Sequence, residues 1–318
     1  MRYRIRTAAC AWVATALSSL GLHAQSITQR AKIVVPNPSD MESLGHSVAI
    51  DGDWLVVGAP ADDVDGFHRG SLRVYARNGA NWAFHSKLVA SDREDSDFFG
   101  WSVALDGTTL VVGAFLDSAN FDSEGSAYVF TLSGNTWTQQ AKLAPSSSND
   151  VARFGSAVDI DGDTIVVGSP LLESGPLRPG GVFVYVRNAG AWTEQALVTA
   201  PTPGHFADFG ASVGISGDRI VVGAPAFAAI GVAQSAVYVF ERAAGVWSIA
   251  DTLQPTPPLQ GLPEFGTSVA IDGDTIVASA PFAERGPTLP RGEVVVFDHA
   301  TGQWIDAARY GSSDVNAA

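Results

Sequence analysis

One sequence unit recurs five times along this chain of 318 residues, and each copy opens on an apolar residue followed by glycine. A GAP-like tripeptide and a tryptophan follow in every copy. The opening glycines are Gly45, Gly100, Gly155, Gly210 and Gly266, and the tryptophans are Trp82, Trp137, Trp192, Trp247 and Trp304. These three sequence features recur at the same relative spacing in five copies, which predicts a repeat architecture in which each unit packs on its neighbours. The copies begin near residues 44, 99, 154, 209 and 265.

Each unit offers four short segments rich in valine, isoleucine, tyrosine and phenylalanine, bounded by turn residues. In the third copy they are SAVDI, TIVVGS, GVFVYVR and WTEQALV, and none has a sustained helical period. The second segment is a continuous apolar run, typical of a strand buried on both faces, whereas the fourth is far more polar. The sequence therefore predicts an all-β fold, a β-propeller of four-stranded antiparallel blades with five repeats of about 55 residues.

An Asp-Gly pair stands between the first and second strands in four copies, as in Asp161-Gly162, and Ser216-Gly217 replaces it in the fourth. The flanking apolar runs leave room for about two turn residues, which predicts a type I′ hairpin. A calcium loop needs several oxygen ligands spread over about a dozen residues. These aspartates are therefore predicted to be turn formers and not calcium ligands. The glycine of GAP is predicted to let a neighbouring backbone come close.

Residues 1–24 have the three regions of a secretory signal peptide: three arginines in the first six residues, a mostly apolar run, and small residues before Gln25. A membrane anchor is the alternative, but the apolar run is short for a spanning helix. We expect a mature domain at 25–318 that is secreted, periplasmic or at the cell surface, without membrane insertion after cleavage. The one cysteine, Cys10, lies within the signal peptide.

The mature chain is strongly acidic. Three of the 19 basic residues and none of the 33 acidic ones lie in the signal peptide, which leaves 16 against 33 and a net charge of −17. The electrostatic field of so negative a chain repels nucleic acid and anionic membrane surfaces, so neither is a predicted partner.

The run FGSAVDIDGDTIVVGSP, followed by GVFVYV and a tryptophan-led strand, resembles the FG-GAP repeat, which also builds the N-terminal β-propeller of integrin α subunits. The resemblance is to the bacterial exported branch and covers nearly all of 25–318. It implies an adhesion or ligand-binding propeller with no catalytic activity and no required cofactor. Integrin-type blades hold calcium on a long D-x-D-x-D-G loop, which here has shrunk to the short turn. Leu44, Phe115 and Ser279 depart from the Phe, Pro and Gly of the pattern.

The variable loops, which share the face opposite the Asp-Gly turns, are the expected place for function. Any calcium is expected to bind weakly in loops 61–70 and 91–97, through Asp62, Asp63, Asp65, Asp92, Asp95 and Asp97. Further carboxylates on this face are Glu94, Asp117, Asp122 and Glu124. A solvated acidic rim is the alternative interpretation.

A protein or polysaccharide ligand is the expected partner of this face. The candidate ligand-binding residues are His46, Trp101, Asp62, Asp63, Asp65 and His68. His46 and Trp101 follow the FG pair and are expected at the mouth of the central channel, where Trp101 alternatively acts only as a plug.

Motifs of a nucleophile elbow, a zinc site or a phosphate loop are absent from the sequence, which favours a non-enzymatic module. Two rivals stay open. One is a glycan-active hydrolase or lyase with two carboxylates about 5–10 Å apart on the variable face. The other is a structural module of a larger surface assembly.

The fourth strand has six copies, the first at 27–33 and the last at 304–310. We expect a closed five-bladed ring with 27–33 at or beside the outer edge of the last blade. The alternative is an open arc whose edges recruit another chain.

Overall fold

The computed structural model describes residue 32 and residues 42–63, 66–118, 123–147, 152–173, 178–201, 207–225, 235–261, 264–284 and 292–311. Within these ranges no helix is long and apolar enough to cross a membrane. Twenty strands form five four-stranded antiparallel sheets, which confirms the predicted all-β propeller blades. The signal peptide and the strand copy at 27–33 lie outside the described residues, apart from Lys32.

Each sheet is one blade, and its four strands follow one another in chain order. Blade 1 contains β1 (Val48–Asp51), β2 (Trp54–Ala59), β3 (Ser71–Asn78) and β4 (Asn81–Leu88). Blade 2 contains β5 (Ser102–Asp106), β6 (Thr109–Ala114), β7 (Ser126–Ser133) and β8 (Thr136–Leu143). Blade 3 contains β9 (Ala157–Asp161), β10 (Thr164–Ser169), β11 (Gly181–Asn188) and β12 (Ala191–Val198). Blade 4 contains β13 (Ser212–Ser216), β14 (Arg219–Ala224), β15 (Ala236–Ala243) and β16 (Val246–Leu253). Blade 5 contains β18 (Val269–Asp272), β19 (Thr275–Ala280), β21 (Glu293–Ala300) and β22 (Gln303–Gly311), and the short strands β17 (Gln260–Gly261) and β20 (Ala283–Glu284) pair with each other.

Burial falls from the second strand of a blade to the fourth, as the apolar runs predict. Every residue of β6 and β10 is buried. In β12, by contrast, exposed and half-buried residues alternate until the last position. In blades 2, 3 and 4 the second strand is covered on both sheet faces by neighbouring blades, whereas the fourth strand forms the solvent-exposed outer edge.

The hairpin between the first and second strands differs from the predicted type I′ turn. Asp51 pairs with Trp54, so the two turn residues are Gly52 and Asp53. Of these two, only the glycine has a positive φ, +54°. A glycine with positive φ at the first turn position is typical of a type II′ turn. The type I′ prediction is wrong because the aspartate completes the strand ladder, which moves the turn one residue along the chain.

The aspartate at the end of the first strand links neighbouring blades. Asp51 Oδ2 accepts a hydrogen bond of 2.7 Å from the main-chain nitrogen of Gly107, the turn glycine of blade 2. The same link, 2.6 to 3.1 Å long, joins Asp106 to Gly162, Asp161 to Gly217 and Ser216 to Gly273. These residues therefore connect neighbouring blades through their side chains, and the prediction that the aspartates form the turn itself is wrong, because they lie at the end of the strand just before it.

The glycine of the GAP tripeptide lies where the next blade approaches most closely. A β carbon built on Gly113 would lie 2.0 Å from the carbonyl oxygen of Gly155, which opens the next repeat. A β carbon built on Gly58 would lie 2.2 Å from the carbonyl oxygen of Gly100. The same distance is 2.0 Å from Gly168 to the oxygen of Gly210 and 2.0 Å from Gly223 to the oxygen of Gly266. No side chain fits at these distances, which confirms that this glycine admits the neighbouring backbone.

Apolar side chains fill four layers, one between each pair of consecutive blades. Each layer contains the phenylalanine of an FG pair, and these rings are fully buried: Phe99, Phe154, Phe209 and Phe265. These layers contribute strongly to stability, because burial of a phenylalanine side chain contributes about 1.5–3 kcal/mol.

The described residues do not close the ring. Within these residues no fifth layer joins blade 5 to blade 1. Val48 in the innermost strand of blade 1 is 39% exposed, whereas the equivalent Val103 in blade 2 is fully buried. A β carbon on Gly45 would meet nothing within 4 Å. The described residues therefore do not form the predicted closed ring, and within them the five blades form an open array. The copy at 27–33, which the prediction placed at the edge of the last blade, lies outside these residues.

Ser279 changes the outward face of blade 5. It takes the place of the GAP glycine, so its β carbon occupies the space into which the next blade's carbonyl group would enter. Four apolar residues on the outward face of blade 5 are only half-buried: Ala270, Val277, Val294 and Val296. Their equivalents in blade 2 are buried against blade 3: Ala104, Val111, Ala127 and Val129. A further blade cannot pack on blade 5 in the way blades 2 to 5 pack on their predecessors.

Candidate functional site

The variable loops of blades 1 and 2 lie side by side and are joined through the main chain. Nitrogen atoms of one loop donate to carbonyl oxygens of the other over 2.8 to 3.2 Å, in the pairs Ser96 to Phe67, Phe98 to His68 and Phe99 to Arg69. Gly70 and Phe99 also form a parallel β-bridge. The loop of blade 1 is therefore held like an extra strand against the entry to blade 2, which fixes the direction of its side chains.

Asp62 lies in the interior of blade 1 and not on the ligand surface proposed for it from the sequence. Its Oδ2 atom lies 2.9 Å from Nζ of Lys87 and 3.2 Å from a guanidinium nitrogen of Arg73. The hydroxyl of Ser71 donates a hydrogen bond to the same oxygen. Since the side chain is buried and already paired with two cations, Asp62 stabilises the blade.

Blade 2 repeats this arrangement. Asp117 lies 3.0 Å from Nζ of Lys142 and accepts a hydrogen bond from the hydroxyl of Tyr128. Asp92 contacts the same lysine at 2.8 Å and the same tyrosine at 2.9 Å. Burial alone would raise the pKa of Asp92, but the hydrogen bonds from Lys142 and Tyr128 outweigh it and lower the pKa. Asp92 is thus an ionised, solvent-exposed member of the network around Lys142.

Blade 3 shows that this network is structural. One repeat further along, the positions of Asp117, Tyr128 and Lys142 are held by Leu172, Phe183 and Leu197. Leu172 and Phe183 are buried in the layer between blades 2 and 3. The same site in the blade therefore accepts either a paired ionic set or an apolar set.

Asp63 and Asp95 shape the loop of blade 1. Asp63 Oδ1 accepts a hydrogen bond of 2.6 Å from the main-chain nitrogen of His68. Asp95 Oδ1 accepts hydrogen bonds from Nε of Arg69 at 2.7 Å and from the main-chain nitrogen of Phe67 at 3.2 Å. The bond from Arg69 lowers the pKa of Asp95. Both carboxylates are partly accessible, so they are the members of the predicted acidic set that face solvent beside His68.

The weak calcium site expected in loops 61–70 and 91–97 stays a prediction. Asp65 lies outside the described residues. Within the ranges that the structure describes, no three His, Cys, Asp or Glu side chains lie close enough together to hold a metal ion. A calcium ion there would have to compete with the hydrogen-bond donors of the protein that the aspartates already contact.

Asp97 is buried, and its burial raises the pKa to about 7. The hydrogen bond from the nitrogen of Glu94 and the charge of Lys142 oppose this rise, and Asp117 adds to it. A carboxyl whose pKa rises on folding contributes stability at low pH, and this contribution is lost as the pH rises through the folded value. We therefore expect the melting temperature to fall from pH 5 to pH 8 by at least about 3 °C more in the wild type than in Asp97→Asn. Calorimetry at both pH values measures this, and equal falls in the two proteins would contradict the role of Asp97.

Six aromatic rings form a continuous row on the variable face of blades 1 and 2, called the aromatic ledge below. In order they are Phe67, His68, Phe98, Phe115, Trp101 and His46. Successive ring centroids are 3.9, 5.0, 5.6, 4.2 and 4.2 Å apart. Phe67 at one end is 56% exposed, and His46 at the other end is also exposed. The ledge therefore presents a solvent-facing ring at each end and is supported from below by buried Phe115.

Departures from the repeat pattern build the ledge. Phe115 stands where the other four copies have proline, and it packs against Trp101. Phe98 has a φ of +55°, which the equivalent residues of the other repeats share, but only this copy has an aromatic side chain at the position; the others are Ser43, Arg153, Asp208 and Glu264.

The structure brings three of the sequence candidates together on the ledge: His46, Trp101 and His68. Partial desolvation lowers the pKa of His46, which favours its neutral form. Sequence reasoning missed Phe67, Phe98 and Phe115 as members. Phe115 could have been identified because it replaces the proline of the repeat. The position of Phe67, by contrast, depends on the contact between two loops.

The opposite face carries a cavity of about 480 Å³ between blades 3 and 4. Its arginines are already paired, Arg187 with Asp163 and Arg242 with Asp218, at 2.6 Å each. Arg242 also donates to the hydroxyl of Thr164 in the preceding blade. The polar groups of this cavity therefore connect blades, and the aromatic ledge is the stronger candidate for a binding site.

Comparison with known families agrees with the blade structure. The FG-GAP repeat matches residues 27–75, 82–130, 137–185 and 192–240, and no match was found among curated proteins. The three later matched units each run from the fourth strand of one blade to the third strand of the next. Blade 5 lies beyond the matched residues and has the same strand order. Since the matched units cover more than half of the chain, this protein is a member of the FG-GAP repeat family.

Proposed function

We propose that this protein is an exported, non-catalytic binding or adhesion module that holds its ligand on the variable face of blades 1 and 2. The aromatic ledge is the observation that carries the proposal. Exposed aromatic side chains contribute strongly at binding surfaces, because they offer a large contact area and lose little conformational entropy. Loops held on a rigid scaffold are the usual place for recognition.

Export and the choice of partner rest on the sequence. The signal peptide at 1–24 directs the chain out of the cytoplasm. The acidic mature chain disfavours nucleic acid and anionic membranes, which leaves a protein or a polysaccharide as the ligand.

A glycan-active enzyme is the rival function, and Asp92 and Asp117 are the carboxylates nearest to supporting it. They share Tyr128 and Lys142 as partners. Asp117 is buried, however, so a substrate does not reach it. The pair lacks the open position between carboxylates that a glycosidic bond needs.

A double variant of the mature protein, Phe67→Ala with His46→Ala, tests the binding proposal. We expect at least one member of a panel of purified polysaccharides and extracellular proteins to bind the wild type, measured on a biosensor. The double variant should bind that ligand at least about tenfold more weakly, because it loses both exposed rings of the ledge.

Phe84→Ala is the matched control, because Phe84 is 59% exposed on β4 and lies outside the ledge. It should leave the affinity unchanged. Polysaccharide turnover that Asp92→Asn abolishes would establish the enzymatic rival. Binding that survives in the double variant would place the site elsewhere.

A further inference from the structure

We infer that the aromatic ledge binds a neutral polysaccharide, with one sugar ring stacked on Phe67 and another on His46. This inference rests on the proposed function and specifies its ligand class. Pyranose rings present a face of C–H groups that packs on an aromatic ring, while their hydroxyl groups point outward around the rim. A suitable site therefore combines an open aromatic face with hydrogen-bonding groups beside it.

Phe67 offers such a face. One side of its ring stacks on His68, with centroids 3.9 Å apart and an interplanar angle of 26°. Since the side chain is 56% exposed, the other side of the ring is open to solvent. The main-chain nitrogen of Phe67 is held by Asp95, and its carbonyl oxygen by Ser96. The ring is therefore a platform in a fixed position, which reduces the entropy lost on binding.

The groups beside Phe67 favour hydroxyls over charged ligands. Arg69 and Asp95 form an ion pair at 2.7 Å, and both side chains are accessible to solvent. Together they supply hydrogen-bond donors and acceptors, and a sugar hydroxyl uses both. A cationic ligand would be repelled by Arg69 and would gain little from Asp95, because the charge of Asp95 is already neutralised by Arg69. An anionic ligand would meet the acidic loops and the net charge of the chain.

The length of the ledge favours a polymer over a single sugar. Four further rings connect Phe67 to His46 without a break in ring contact. His46 packs against Trp101 with centroids 4.2 Å apart, which supports the second exposed ring in the same way. Two supported rings at the ends of one ledge can hold separate residues of the same chain, and the second contact then forms at high effective concentration.

Affinity electrophoresis of the mature protein tests the inference. Native gels would contain neutral glucan, mannan or galactan, the anion polygalacturonate, or the cation chitosan. We expect at least one neutral polymer to retard the wild type, with retardation that persists in high salt because no ionic contact is screened. Phe67→Ala should weaken this binding about tenfold, and Phe67→Trp should retain it. Phe84→Ala should behave as the wild type.

The outcomes separate this inference from the proposed function. Retardation by the charged polymers alone, lost in high salt, would overturn the ligand class. So would a protein ligand that depends on Phe67 while every neutral polymer leaves migration unchanged, although the proposed binding function would then stand. If Phe67→Ala and His46→Ala both bind a ligand as tightly as the wild type does, the inference and the proposed site are overturned together.

Discussion

Replacement of Gly113 by alanine is expected to destabilise the protein by about 3 kcal/mol and to lower its melting temperature by roughly 6–12 °C. The added methyl group would lie 2.0 Å from the carbonyl oxygen of Gly155 and 2.3 Å from Oγ of Ser102. That serine donates a hydrogen bond of 2.8 Å to the same carbonyl, so the two groups belong to one contact between blades 2 and 3. The overlap can be relieved only by moving the blades apart. Thermal unfolding followed by circular dichroism measures the effect.

Ser279→Ala is the matched control, because residue 279 holds the same repeat position in blade 5 and already has a β carbon. It loses the hydrogen bond that Ser279 Oγ accepts from the nitrogen of Ser268, which costs about 1 kcal/mol at most. If Gly113→Ala were as mild as Ser279→Ala, the contact between blades would not need glycine. The interpretation of Ser279 as a bar to the same contact on blade 5 would then fail as well.

Asp117→Leu alone is expected to destabilise the protein by about 3 kcal/mol, because it leaves the half-buried ammonium of Lys142 with fewer partners and the buried hydroxyl of Tyr128 with one acceptor fewer. The triple variant Asp117→Leu/Tyr128→Phe/Lys142→Leu copies the apolar set of blade 3. Its free energy of unfolding is expected to lie within about 1 kcal/mol of the wild-type value, since a well-packed apolar set often replaces a buried ionic set without loss of stability. Urea unfolding followed by tryptophan fluorescence compares the three proteins.

Asp53→Asn serves as the control for this series. Asp53 pairs with Arg77 at 3.2 Å, but its side chain is largely exposed, so its loss should cost less than about 1 kcal/mol. A triple variant as unstable as Asp117→Leu would show that the ionic network of blade 2 cannot be exchanged for the apolar set of blade 3.

The repeat carried most of the information about the fold. Its period predicted the five sheets. The apolarity of each segment predicted that the second strand of a blade would be buried and the fourth solvent-exposed. The same pattern did not predict the turn type, because the register of Asp51 with Trp54 decides which two residues form the turn. It also did not predict the open array, since closure depends on whether two distant blade faces fit each other.

The candidate site was predicted less completely. His68 was identified from its position in a variable loop, and His46 and Trp101 from their position after the glycine that opens each repeat. The structure brings the three together on the aromatic ledge. Asp62 and Asp92 have the sequence pattern of surface carboxylates. Their cationic partners, Lys87 and Lys142, lie on the outer strand of the same blade, at a separation that the sequence alone does not reveal. Burial and pairing therefore changed the interpretation of Asp62, whereas Asp92 is paired but stays exposed at the surface.

By itself, the sequence determined the blade, because strand periodicity, turn residues and the glycines that admit a neighbour are local properties repeated five times. Only the tertiary structure decided how blades meet and what their loops build. The ledge exists because the blade 1 loop with Phe67 and His68 pairs through its main chain with the segment that enters blade 2 at Phe98. Contacts of this kind join residues about 30 positions apart, and their geometry depends on the stacking of whole blades and not on any local pattern.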